Sequence, residues 1–363
     1  AAHQAVAGQE KVEKLRNCRR NPGIDRRIHG NDLNASPFEA VTDKLPPGRR
    51  KSTRHHGRPR AGKMCTSLQQ NAGSALANFE DIQATYDGIA PTYEKYAALE
   101  SEVGRRLLER VKFGRADPGV VLDLGCGSGL CAADLKKDLR KVNVIGLDAS
   151  GGMLAEARRK STLTRPLRWI NADMTALPVA RHSIDLAVSN LSIPQLDGFG
   201  ELFDEVRRVL KPDGMFLFST LGPASFAQVY GAMDGLDQPF DRASLPDLLV
   251  VGDALTAAGF REPVMDVDFL TVHYPAVSAL FRELEMTGAS LLFPDWSSVR
   301  EKLAELESSW TTLEGGGRYP LDYEVIYGAA FGPPEGQPRR TKDGEIATFS
   351  VDSLVKTRNL GYD

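Results

Sequence analysis

From about Ser74 onward, short apolar runs alternate with segments of helical period. Val120–Leu124 (VVLDL), Val142–Leu147, Leu167–Ile170, Ile184–Val188 and Met215–Ser219 are brief aliphatic or aromatic runs closed by small or polar residues. Such runs predict strands buried on both faces. Between them, Leu130–Leu139, Gly152–Arg159 and Phe199–Leu210 predict helices. The last carries apolar residues at 199, 202, 203, 206, 209 and 210, one stripe of a 3.6-residue period. Upstream, Leu99–Val111 shows the same pattern at Val103, Leu107, Leu108 and Val111. Downstream, Val264–Val272 and Tyr323–Phe331 predict two more strands, separated by helical stretches at about Ala276–Gly288 and Ser297–Leu313. Lys211–Gly214 (KPDG) predicts a turn, and Ile346–Val351 a weak strand in a polar tail. There is no internal repeat. The alternation predicts an α/β fold: a doubly wound, mostly parallel seven-stranded sheet with helices on both faces.

Composition changes this picture in one place. Residues 1–63 hold 15 Lys and Arg against 6 Asp and Glu, whereas the other 300 hold 30 against 42. The first segment has one aromatic residue, Phe38, and a basic, breaker-rich stretch from Pro46 to Arg60. It buries too little apolar surface to offset its ordering entropy and is predicted to be disordered. The expected organisation is a basic extension over 1–73, a catalytic domain over 74–332 with helical lid segments at 74–112 and 275–316, and a polar tail over 333–363. No apolar run approaches the roughly 18 residues of a membrane helix, so no membrane span is expected. Cys18, Cys65, Cys126 and Cys131 form no CxxC or zinc spacing, which predicts free thiols in a reducing cytoplasm and no metal. The acidic globular part argues against a nucleic-acid partner.

The segment richest in chemistry is Val120–Gly129 (VVLDLGCGSG). Glycines at 125, 127 and 129 stand between a strand and a helix, where a backbone without Cβ atoms can turn tightly and approach a ligand. Asp148 ends the next strand, in place to bind ribose hydroxyls at the carboxyl edge of a parallel sheet. The dinucleotide fingerprint GxGxxG needs a small residue at 130, which is Leu130; the spacing here is GxGxG.

That spacing resembles class I S-adenosylmethionine-dependent methyltransferases. The resemblance implies a cofactor site built from Asp123, near the methionine ammonium, and the loop Gly125, Cys126, Gly127 and Gly129. It implies Asp148 and Ala149 at the ribose, Met153 against the adenine, Asp173 and Met174 at the adenine amino group, and Asn190 with Ser189 on the sulfonium side. Three longer stretches are more specific: ATYDGIAPTYEKYAALE with Tyr86 and Tyr93, residues 251–289, and residues 317–340. They resemble the malonyl-acyl-carrier-protein O-methyltransferases of biotin synthesis. The family pattern is broken at Pro194–Gln195, Leu249–Val250 and Ala329–Ala330–Phe331.

The resemblance implies methyl transfer from S-adenosylmethionine, leaving S-adenosylhomocysteine, to the free carboxylate of malonyl-acyl carrier protein or malonyl-CoA. A carboxylate is ionised at neutral pH, so no general base, and hence no catalytic acid–base residue, is expected. Substrate-side candidates are Tyr86, Tyr93, Ser189 and Arg282, the last placed to meet the substrate carboxylate. An acidic carrier protein would dock on a basic patch, either Arg105, Arg106, Arg110 and Lys112 or Arg339, Arg340 and Lys342. Two alternatives share the cofactor motifs: a diverged methyltransferase for another carboxylic acid, and a non-methylating assembly factor or hydroxylase of the same fold. The sequence leaves the oligomeric state open.

Overall fold

The strand β1 (Val120–Leu124) lies at the centre of a seven-stranded sheet of order β3-β2-β1-β4-β5-β7-β6. Its neighbours are β2 (Asn143–Asp148) and β4 (Ile184–Asn190), both parallel to it. β3 (Arg168–Asn171) and β5 (Leu210–Leu221) extend the parallel part. β7 (Tyr319–Phe331) runs antiparallel between β5 and the edge strand β6 (Arg261–Tyr274). The structure, a computed structural model, describes residues 78–113, 117–196, 198–234, 242–310, 319–334, 339–341 and 344–346. The expectations for residues 1–73, for Lys342 and for most of the 346–351 strand lie outside the described residues. Gly344–Ile346 pairs with Arg339–Thr341 in a separate two-stranded ribbon.

Side-chain alternation explains the two-faced core. Val121 enters one apolar cluster with Val103, Leu107, Ala132 and Leu135. Leu122 and Leu124 point the other way and pack with Phe203, Val206, Phe216 and Phe218. The helices therefore divide between the faces. α2 (Ala98–Glu109) and α3 (Leu130–Asp138) cover one face, while α5 (Gly200–Val209) and α7 (Leu248–Ala257) cover the other, with α4 (Gly151–Arg158) following β2. A strand buried on both sides is the stated condition for a parallel sheet, and the apolar runs of the sequence meet it.

Several expectations are amended. The KPDG turn exists, but it is looped out within β5: Leu210 pairs with Ile184, Met215 with Leu186, and Asp213 takes a positive φ of 59°. The helix expected over 297–313 is two, α9 (Trp296–Glu301) and α10 (Leu303–Ser309), broken at Lys302. α1 (Phe79–Ile89) falls within the helical segment expected over 74–112, whereas α6 (Ala227–Asp234) and α7 escaped the periodicity reading. α1 has no fully buried residue; Phe79, Ile82, Tyr86 and Ile89 recur at helical spacing but are exposed or half-buried. α8 (Val277–Met286) matches the stretch expected from Ala276 to Gly288. No described helix is long and apolar enough to cross a membrane.

Candidate functional site

The order of strands reverses between β1 and β4, and the loops leaving their carboxyl ends open a crevice there. The glycine loop occupies it. Gly125, Gly127 and Gly129 have φ of 62°, 54° and 83°, a region that costs other residues roughly 1–2 kcal/mol. Each glycine has its own reason. A Cβ on Gly125 would fall 2.4 Å from the Ser192 Cβ, and one on Gly129 2.6 Å from the Trp169 ring. A Cβ on Gly127 would meet nothing within 4 Å. Gly127 thus faces open space that a ligand can use.

Asp148 braces this loop. One carboxylate oxygen accepts from the Gly127 N–H at 2.8 Å and the other from the Ser150 N–H at 2.8 Å. Two of about four acceptor positions are thereby used, leaving the rest for hydroxyl donors. Burial raises the Asp148 pKa, and the two N–H bonds oppose that rise. The loop's own cavity, about 360 Å³, is lined by Tyr93, Glu100, Asp123, Ser128, Cys131 and Asn190 besides the glycine-loop backbone. Three buried polar atoms in it lack any hydrogen-bond partner: Asp123 Oδ2, Ser128 Oγ and Glu100 Oε2. Asp123 is 1% exposed, and burial, with Asp148 nearby, pushes its pKa up to about 7. Buried orphan polar groups are rare in native proteins and call for a partner. A ligand carrying an ammonium and a carboxylate, as a methionine moiety does, supplies both an acceptor's and a donor's complement.

A second cavity, about 460 Å³, adjoins the first by sharing Tyr93 and Glu100. Tyr86, Leu191, Pro194, Leu221, Glu283, Thr287, Leu292 and Tyr323 form much of the remainder. Its floor holds a buried chain of polar groups. The Tyr274 hydroxyl donates to Glu283 Oε1 at 2.6 Å and lies 3.5 Å from the Tyr323 hydroxyl. Leu191 closes the end of β4 with a positive φ of 52°, the kind of local strain that clusters at binding sites.

α1 latches over the cofactor end. Gln83 Nε2 donates to the Ala149 carbonyl at 3.0 Å, and Asp87 Oδ1 accepts from Ser150 Oγ at 2.6 Å and Gly152 N at 2.7 Å. Tyr86 packs against Gly288, where a Cβ would lie 2.7 Å from the ring. α1 and the segment after α8 therefore meet across the second cavity's mouth.

The sequence-predicted residues fall into three groups. Asp123, Gly125, Cys126, Gly127 and Asn190 line the first cavity, Tyr86 the second, and Tyr93 both. Asn190 is fixed by donating to the Glu100 carbonyl and accepting from Ser219 Oγ. A supporting group stands behind them. Gly129, Asp148 and Ala149 shape the loops, and Met174 approaches Gly125. Asp173 holds the Thr175 N–H, and Ser189 is fully buried with its hydroxyl on Ser192 Oγ. Met153, 1% exposed, packs beneath α4 rather than lining either cavity.

Arg282 is the exception and the structure does not bring it to the site. It is exposed on α8 and lines neither cavity. The signal was available: Val277, Leu280, Phe281 and Leu284 form the buried stripe, and residue 282 lies on the opposite side of the turn. Its neighbour Glu283, which sequence reasoning passed over, faces inward instead. Glu100, Ser128, Leu191 and Tyr323 were likewise missed, because no spacing rule distinguishes them from ordinary helix and strand residues.

Two further expectations change. Of the positions that depart from the family pattern, Pro194 lines the second cavity, whereas Leu249 and Val250 are exposed on α7 and Ala329–Phe331 pair within the sheet. The arginines of the basic group, Arg105 and Arg106 on α2 and Arg110 just after it, are paired with carboxylates. Arg105 pairs with Glu102 and Glu109, Arg106 with Glu102 and Asp268, and Arg110 with Asp266 while lying 4.0 Å from the Tyr327 ring centroid. Burial raises the Cys126 and Cys131 thiols well above their usual range, so neither is a thiolate nucleophile. No cluster fit to hold a metal ion occurs among the described residues.

Comparison with known proteins agrees with this geometry. The family described as "Methyltransferase domain" matches residues 121–214. The malonyl-acyl-carrier-protein O-methyltransferase of Legionella pneumophila is 31% identical over 280 residues, covering 76% of this chain and 98% of that protein. The proteins of the same name from Methylovorus sp. and Xylella fastidiosa are 34% and 33% identical, covering 72% and 77% of this chain and 92% and 96% of theirs. Identity above 30% across nearly the whole of each relative places this chain in the malonyl-acyl-carrier-protein O-methyltransferase family.

Proposed function

We propose that the chain uses S-adenosylmethionine to methylate the free carboxylate of malonyl-acyl carrier protein, releasing S-adenosylhomocysteine, early in the pimeloyl branch of biotin synthesis. The observation that carries the reading is the pair of cavities joined at Tyr93 and Glu100, one polar with the orphaned Asp123 oxygen, the other bordered by Tyr86 of α1 and Glu283 of α8. The first fits the cofactor's amino-acid end, with Asp123 toward the ammonium, Ser128 toward the carboxylate and Asp148 toward the sugar. When bound, the cofactor supplies a methyl group on a positively charged sulfur that leaves neutral.

The chain's own part is to bring a carboxylate oxygen to that methyl, in line with sulfur, and to keep water out. Methyl transfer from a bound sulfonium to a carboxylate would neutralise both charges and release no proton, so the residues of the site would need only to hold and orient the two ligands. Alignment of this kind is worth several kcal/mol without any acid or base. The latch of Gln83 and Asp87 onto residues 149–152 serves it by closing the cofactor end. The acidic carrier protein is the proposed bearer of the malonyl group, which stays on its thioester while its free carboxylate accepts the methyl, with malonyl-CoA as a smaller surrogate. Free Cys126 and Cys131 suit a reducing cytoplasm.

The experiment is direct. Purified protein, S-adenosylmethionine and malonyl-acyl carrier protein are incubated, and mass spectrometry follows the malonyl group, with malonyl-CoA in parallel. A gain of one methyl is expected. Tight cofactor binding with no gain on either thioester would end this reading.

A further inference from the structure

The second cavity is where an acyl group would lie, yet no lysine or arginine lines it. Its charged-type residues are two glutamates, Glu100 and Glu283. For an anionic substrate this is unexpected, and the hydrogen-bond inventory shows how it is resolved. Glu283 is 3% exposed. Its Oε1 is occupied by the Tyr274 hydroxyl as donor, while its Oε2 has no partner in the protein. An ionised carboxylate with a bare, buried oxygen would be costly. An undissociated acid accepts from Tyr274 at one oxygen and carries a proton on the other, which then needs an acceptor. The protein offers none.

We infer that Glu283 is a substrate-positioning residue: its undissociated carboxyl, set by Tyr274, donates through Oε2 into the acyl cavity to an oxygen of the malonyl carboxylate. The inference rests on the malonyl reading above and deepens it. A neutral donor holds one oxygen of the substrate anion by a charge-assisted bond and adds no positive charge that would compete with the sulfonium for it. The other oxygen stays available for attack. The groups facing Glu283 agree with its remaining protonated. Tyr274 on β6, Tyr323 on β7 and Tyr93 are themselves raised by burial, Glu100 on α2 adds repulsion, and Tyr86 closes the cavity beside them. Burial is the main cause that pushes Glu283 up to about 9.

Glu283→Gln and Glu283→Leu separate the possibilities. Glutamine keeps an oxygen for Tyr274 and an N–H donor for the cavity, but cannot ionise; leucine removes both. With malonyl-acyl carrier protein, Glu283→Gln should stay within about threefold of wild type at pH 7.5, as expected when one hydrogen-bond donor replaces another. Wild type should lose kcat/KM toward pH 9–10, and that fall should be absent from the variant. Glu283→Leu should raise the malonyl KM about 10- to 100-fold, with the S-adenosylmethionine Kd unchanged by calorimetry. A Glu283→Gln profile that still falls, or a Glu283→Leu KM equal to wild type, overturns the inference; if the leucine variant does not fold, the glutamine profile decides alone. Wild type that leaves malonyl-acyl carrier protein unmethylated overturns the parent reading and this one with it, whereas an active wild type with unmoved variants overturns this one only.

Discussion

At the scale of single residues, the glycine loop shows how one motif serves two kinds of demand. Gly125 and Gly129 are required by close packing against Ser192 and Trp169, but Gly127 is required by its φ and by the open space beside it. Gly125→Ala should therefore lower stability, seen as an earlier thermal transition. Gly127→Ala should cost only about 1 kcal/mol of stability yet weaken S-adenosylmethionine binding by calorimetry. Asp123 carries a pH-dependent prediction. Its folded pKa, about 7, lies above the unfolded value. Below the unfolded value both states are protonated and nothing changes. As pH rises toward 7 the unfolded chain releases the proton first, so the apo fold loses stability, and above 7 the penalty is complete. Asp123→Asn should accordingly melt higher than wild type at pH 8 by a few degrees and show little difference at pH 4, and its weaker cofactor binding should appear at pH 8. A melting difference that does not grow with pH would show that the buried carboxyl is not strained by its site.

At the scale of elements, the contacts that close the site come from segments far apart in sequence. α1 buries no residue, so its place is set by polar contacts to Ala149, Ser150 and Gly152 and by Tyr86 lying on Gly288. Such an element should open and close more readily than the strands beneath it. Asp87→Ala removes two hydrogen bonds worth roughly 1 kcal/mol each. It should speed cofactor release by about tenfold in stopped-flow measurements and increase hydrogen exchange over 79–89, while the global melting temperature moves little. The strands and the long helix Phe199–Leu210 were legible because burial imposes a period on them. α1 was legible as part of a helical segment but not in its polar latches, which leave no mark on the apolar pattern, and the KPDG turn inside β5 was read correctly but as an end rather than an interruption.

At the scale of the whole molecule, the doubly wound sheet brings β1, β4 and the lids into one crevice, and it also decides which charges are free. The arginines of α2 look like a docking patch in sequence, but the edge strand β6 supplies Asp266 and Asp268, and α2 itself supplies Glu102 and Glu109. Exposed pairs of this kind contribute little to stability and leave little net field. Arg105→Glu should change the KM for malonyl-acyl carrier protein less than twofold; a tenfold rise would restore this face as the docking surface.

What the sequence determined by itself was the local and periodic part. The apolar runs required a parallel sheet buried on both faces, and the glycines followed by Asp148 required a tight turn braced from the next strand, because those demands are satisfied within a strand, a loop and the next strand. What only the tertiary structure decided was the second cavity. Glu100 and Glu283 stand 183 positions apart in the chain, and their facing one cavity depends on α2 and α8 packing on the same side of the sheet. Whether a buried carboxyl has a partner is likewise a property of that packing, so the exposure of Arg282 and the unpartnered oxygen of Glu283 emerged only once α8 had a definite face.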